Sequence, residues 1–181
     1  MPIVGFGLFK VHADEMPVAV ESAVGAGYRL FDTAQVYKNE RHLSDALKTA
    51  FEGQKTLDVT TSTEGESATL RRRLSTKRSD IFITSKLHPR NQNFEAAKKA
   101  VNDSLVELQT DYIDLYLIHW PGTSKLKPED PLNAENRRTS WEALEEVYRE
   151  KQSLRGWNQL VVFVVNAFSV AQNTWVHMEG S

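Results

Sequence analysis

The chain of 181 residues contains no cysteine, which excludes disulfides and thiolate metal sites and leaves any chemistry to oxygen and nitrogen groups. Charge of either sign is not in excess. Its 22 basic and 24 acidic side chains leave a net charge of -2, so nothing marks a surface for nucleic acid or an anionic membrane. Long apolar runs are also missing: the longest, Leu160 to Ala171, is interrupted by Asn166 and is too short to span a bilayer. The amino terminus, Met-Pro-Ile-Val-Gly-Phe-Gly, lacks the basic start and long apolar core of a signal peptide. These absences predict a cytoplasmic protein with no metal, no nucleic-acid partner and no membrane partner.

What is present is ordinary for a globular domain with a real core, at 40% hydrophobic and 25% charged residues. Read in order, the sequence alternates strands and helices. Ile3 to Phe6 is a short buried-strand candidate, followed by a helix with Asp14 as cap, Pro17 in the first turn and Gly27 as stop. Tyr28 to Phe31 is the second strand; Asn39 then caps a helix with Leu43, Ala46, Leu47 and Ala50 on one face. Ile81 to Thr84 and Ile113 to Ile118 are the third and fourth strands, followed by helices starting at Asn93 and spanning Ser140 to Glu150.

Four strand-helix units in series predict a parallel sheet covered by helices. The gap before the third strand exceeds that of a βαβ unit of about 30 residues. The excess, residues 53–76, is rich in Ser, Thr, Gly and Glu and reads as a disordered insertion. After Glu150 the pattern changes, and residues 151–181 form a divergent tail. Its β-prone piece, Leu160 to Val165, is expected to add beside Ile113 to Ile118 as a substitute fifth strand. Barrels of eight such units run to about 250 residues, so the expected architecture is an incomplete (β/α)8 TIM barrel of about four units plus that fifth strand.

Taken singly, Asp32, Tyr37, Lys86 and His119 each have a bland reading as a turn residue, a packing ring, a solvated cation and a structural imidazole. Together they stand at or just past the carboxyl ends of successive strands, the rim where parallel α/β folds place their sites. A tyrosine hydroxyl is a weak acid, and an ammonium beside it favours the phenolate. Lys86 can serve Tyr37 in that way, and Asp32 is the carboxylate available to pair the ammonium. His119 would orient a substrate oxygen while Tyr37 delivers a proton. None of the four donates hydride, so a nicotinamide cofactor must supply it.

The sequence resembles the aldo-keto reductase family. The matching stretches are Met-Pro-Ile-Val-Gly-Phe-Gly at the start, Asp32-Thr33-Ala34-Gln35-Val36-Tyr37-Lys38-Asn39-Glu40, Ile83-Thr84-Ser85-Lys86-Leu87, and Asp111 through His119-Trp120-Pro121. Residues 1–150 are similar to the amino-terminal half of that family's barrel. The resemblance implies NADP(H)-dependent reduction of aldehydes or ketones to alcohols, with Asp32, Tyr37, Lys86 and His119 as catalytic tetrad. It places Gly7, Leu8 and Asp32 near the nicotinamide ribose, and Phe9, Tyr37, His119 and Trp120 around a small carbonyl substrate. Leu8 stands where the family usually has Thr, and Val165-Asn166 stands roughly where the family has a Ser-Asn pair, which makes Asn166 the remaining cofactor candidate. A truncated half barrel would expose strand edges, so self-association through them is expected. The rival reading is a truncated, catalytically inactive isoform acting only through protein association, or an unstable product.

Overall fold

A computed structural model of the chain describes residues 1–52, 57–63, 66–72, 76–155 and 161–164, with side chains over 1–52 and 76–150. The strands are β1 (Phe6–Gly7), β2 (Leu30–Asp32), β3 (Leu57–Thr63), β4 (Glu66–Arg72), β5 (Phe82–Leu87), β6 (Leu115–Ile118) and β7 (Val161–Val164). The helices are α1 (Met16–Gly25), α2 (Glu40–Glu52), α3 (Phe94–Glu107) and α4 (Leu132–Arg155). Five strands form one sheet in the order β1-β2-β5-β6-β7, every pair parallel. This is the partial α/β barrel that serial strand-helix units dictate. The expected fifth strand lies beside β6, with Leu115 opposite Val161 and Ile118 opposite Val164.

The core lies between this sheet and the helices. Phe31, Ile83, Leu87, Tyr116 and Ile118 from the strands meet Met16, Val20, Leu43, Leu47, Ala97, Val101 and Leu144 from the helices. Period-two alternation sends the intervening strand residues to the other face. Thus Ser85 reaches Glu40 on α2 at 2.6 Å, and Lys86 next to it faces away from the helices towards Asp32. The chemistry of the strand ends follows from that alternation.

Element boundaries differ from the sequence expectation in ways that have local causes. The first strand is Phe6–Gly7, and Ile3 and Val4 are exposed, not buried. The partner strand starts at Leu30 and pairs Phe6 with Phe31, so residues before Phe6 have little backbone to pair with. Gly5 sits over Leu30, where a Cβ would come within 2.4 Å of the leucine side chain. Asp14 does not cap α1. A turn already begins at His12, whose carbonyl accepts from the amides of Glu15 and Met16, and this puts Glu15 at the cap position. The stop is as expected: Gly27 has φ of +94°, its amide bonds the Val24 carbonyl, and Tyr28 bonds Ala23, the paired closure that favours glycine there.

The fourth helix is longer than Ser140 to Glu150. It starts at Leu132 because Asp130 accepts from the Leu132 amide at 2.9 Å through its side chain and from Asn133 through its carbonyl. The ion pairs Glu135–Arg138, Arg138–Glu142 and Glu145–Arg149 on its polar face support the extension. The helix also crosses the expected tail boundary at residue 150. Within the stretch 53–76, where no regular structure is expected, β3 and β4 pair antiparallel as a separate ribbon from Leu57 opposite Arg72 to Thr63 opposite Glu66. Val59, Thr60, Thr61 and Thr69 are β-branched residues that suit extended backbone, a local preference that the Ser/Thr-rich composition conceals.

Candidate active site

The site is assembled from backbone that leaves the carboxyl ends of β1, β2, β5 and β6. Asp32 closes β2, and Gly7 lies opposite it in register on β1. Beyond Asp32 the chain makes a short 3-10 turn, Gln35–Tyr37, ending on Lys38 in the left-handed region at φ 56°. Gln35 anchors that turn, donating to the Ala100 carbonyl at 2.8 Å and accepting from the His88 amide at 3.1 Å. The turn presents the Tyr37 hydroxyl to the strand end.

Lys86 is the centre of the arrangement. An ammonium has three donors, and Lys86 Nζ has three partners: Asp32 Oδ1 at 2.6 Å, the Thr33 carbonyl at 2.9 Å and the Tyr37 hydroxyl at 3.5 Å. Its side chain is 12% exposed, so the pairing satisfies a cation largely removed from water. His119 follows β6, and its ring meets the Tyr37 ring edge-on with centroids 5.7 Å apart. Burial first, and the Lys86 charge second, hold the imidazole below its ordinary value of 6.5. Both effects favour the neutral ring. His119 Nδ1 is buried and has no hydrogen-bond partner among the described residues.

The four residues singled out at the strand ends are therefore brought together. Phe9 and Trp120 flank them as exposed rings: Phe9 lies 5.1 Å from Tyr37, and Trp120 stacks on His119 at 6.1 Å. Gly7 is open, since a Cβ added there would meet nothing within 4 Å. Leu8, next to Gly7 at the end of β1, has its side chain fully buried in the core; its amide donates to the Asp32 carbonyl and its own carbonyl accepts from Asn39. The local reason is that the chain turns back at Leu8, where Val11 bonds its carbonyl as well. Asn166 lies outside the described residues.

Sequence reasoning missed the groups that hold the site. Asn39, read only as a helix cap, accepts from the Thr33 hydroxyl at 2.7 Å and donates to the carbonyls of Leu8 and Val11 at 2.9 and 3.3 Å. It ties the ends of β1 and β2 together. Gln92, 1% exposed, donates to the Trp120 carbonyl at 2.5 Å. The available signal was positional: polar amides just past strand ends, in segments otherwise buried. Among the described residues, no group of three or more His, Asp or Glu is placed to hold a metal ion.

With this geometry in hand, comparison with known proteins is decisive. The Aldo/keto reductase family profile matches residues 4–151. The chain belongs to that family. Among curated aldo/keto reductase relatives, it is 34% identical over 151 residues to a glyoxal reductase from Bacillus subtilis, covering 83% of this chain and 42% of that protein. It is 38% identical over 128 residues to an NAD(P)H-dependent D-xylose reductase from Scheffersomyces stipitis, covering 71% and 34% respectively. A crystal structure of an aldo/keto reductase from Brucella melitensis aligns with a TM-score of 0.66 and 31% identity, over 94% of this chain and 51% of that one. The chain thus spans about half or less of the length of these relatives.

Proposed function

We propose that this chain reduces an aldehyde or ketone to an alcohol with NADP(H), and that Tyr37 delivers the proton to the carbonyl oxygen. The observation that carries the reading is the full set of partners around Lys86. The ammonium is held by Asp32 and the Thr33 carbonyl, and its third donor faces the Tyr37 hydroxyl. As the proton leaves Tyr37, that charge favours the phenolate left behind.

His119 supports the same reading from the other side. A neutral imidazole can hydrogen-bond a carbonyl oxygen and orient it without competing as a strong acid. The exposed rings of Phe9 and Trp120 offer apolar walls to the rest of such a substrate. The residues at the end of β1 fit a nicotinamide, because Gly7 leaves open space beside Asp32 where a flat ring can approach backbone. When bound, that cofactor supplies the hydride. The glyoxal reductase among the relatives makes a 2-oxoaldehyde such as glyoxal the first compound to test.

The test is the initial rate of NADPH oxidation by the purified chain with glyoxal, compared with Tyr37→Phe. Loss of the proton donor is expected to lower the rate by about 100- to 10,000-fold, with NADPH still quenching tryptophan fluorescence. An unchanged rate in Tyr37→Phe, or no oxidation by the parent chain, rejects the reading.

A further inference from the structure

Beside Trp120 the structure has a cleft of about 420 Å³ whose lining includes Pro89, Trp120, Gly122, Ser124, Asn133 and Arg137. Arg137, on the second turn of α4, is the one cation in that lining. It is half-buried, and one of its terminal nitrogens donates to the Pro121 carbonyl at 2.5 Å. Among the described residues no carboxylate lies within ion-pair distance of it. The neighbouring Arg138 shows the contrast: it points to the exposed face and pairs with Glu135 and Glu142.

The other polar groups around the cleft are already engaged with one another. Asn133 accepts from the Thr123 amide at 2.9 Å and donates to the Lys127 and Pro128 carbonyls. The Thr123 hydroxyl donates to Gln92 and accepts from Asn136. Of the loop's acids, Glu129 is exposed, and Asp130 accepts from the Leu132 amide. The result is a braced wall carrying a guanidinium whose one acceptor among the described residues is the Pro121 carbonyl, which leaves most of its five donors for a ligand, a fork suited to an oxyanion. With a net charge of -2, the chain as a whole does not attract anions, so capture here depends on contact with Arg137 itself.

We propose that this cleft takes the anionic end of the carbonyl substrate, a carboxylate or similar oxyanion held by Arg137. The stem of the compound then lies across Trp120, whose ring also stacks on His119, so one side chain joins the cleft to the reacting end. This inference rests on the carbonyl-reduction reading for the identity of the ligand, and on the cleft alone for the presence of an anion site.

Two measurements separate those dependences. Succinate, which cannot be reduced, is titrated into the full chain while the indole N–H resonances are followed by NMR. The Trp120 resonance is expected to shift with succinate, and the shift is expected to vanish in Arg137→Ala and in Arg137→Gln, the latter keeping a donor for the Pro121 carbonyl. In parallel, kcat/KM is compared for succinic semialdehyde and for butanal. Arg137→Gln is expected to lower the value for the semialdehyde on the order of 10- to 100-fold, through KM, and to change that for butanal less than about twofold. Absence of a succinate effect on Trp120, or equal losses for both aldehydes, overturns the site. Arg137-dependent succinate binding without turnover of either aldehyde keeps the anion site and rejects the reductase reading instead.

Discussion

The ammonium of Lys86 and the imidazole of His119 face the same hydroxyl-bearing ring but carry different charge. Lys86 is fixed by an ion pair of 2.6 Å, and Lys86→Met is expected to leave Asp32 with an unpaired carboxylate and to remove the charge that favours the Tyr37 phenolate. A rate loss comparable to that of Tyr37→Phe is predicted, measured with NADPH and glyoxal. For His119 the prediction concerns pH. Its folded value lies below the ordinary 6.5, so between those two values the unfolded chain binds more protons. Stability therefore rises with pH through that window and is lost as pH falls through it. A ring titration by NMR should give His119 a midpoint below 6.5, and a midpoint at or above 6.5 would contradict the burial argument.

At the scale of elements, the site depends on how strand ends are tied to one another. Asn39 links Thr33, Leu8 and Val11 from a buried position. Asn39→Ala removes the partner of the Thr33 hydroxyl and a donor to each of the Leu8 and Val11 carbonyls, of which Leu8 keeps the Val11 amide, and is expected to cost about 2–3 kcal/mol in urea unfolding. Glu40, one residue later, is buried against Ser85. Burial, offset in part by its hydroxyl partners, holds its carboxyl above the usual 4.5. The folded state then keeps that proton to higher pH than the unfolded chain does, so this contribution weakens as pH rises above 4.5. Glu40→Gln is predicted to flatten that dependence and to keep or raise the melting temperature at pH 8. A lower melting temperature for the variant at pH 8 would show that the carboxylate is better compensated than its bonds to the Ser85 and Ser104 hydroxyls suggest.

How much of this was legible varied with the physical signal. Asp32, Tyr37, Lys86 and His119 could be found because a titratable side chain at the end of an apolar strand is conspicuous in one dimension. The burial of the Leu8 side chain was not legible, since it depends on a backbone reversal that only Val11 and Asn39 reveal. The start of α4 was missed because Asp130-Pro131 reads as loop until the Asp130 side chain is seen to accept from the Leu132 amide. Arg137 and Arg138 are adjacent in sequence and identical in type; only the fold separates the one lining a cleft from the one paired on the surface.

Among the described residues, the all-parallel sheet has β1 at one edge and β7 at the other. The pairing of β7 with β6 predicts that ending the chain at Arg155 speeds hydrogen exchange at Leu115–Ile118, the residues opposite β7. Unchanged exchange there would show that β7 contributes little to the sheet. We also propose that the side of β1 with no partner strand among the described residues supports association between copies at high concentration, which sedimentation equilibrium would detect and a monomer at every concentration would exclude.

The central proposal is that the strand-end cluster orients a carbonyl and protonates its oxygen from Tyr37, while the nicotinamide cofactor supplies the hydride to its carbon. The most direct measurement is mass spectrometry of the product formed from glyoxal and NADPH deuterated at the transferring position of the nicotinamide. The account predicts one deuterium on the carbinol carbon of the product made by the parent chain, and about 100- to 10,000-fold less labelled product in the same time with Tyr37→Phe. Unlabelled product, or equal amounts of labelled product from both proteins, would contradict it.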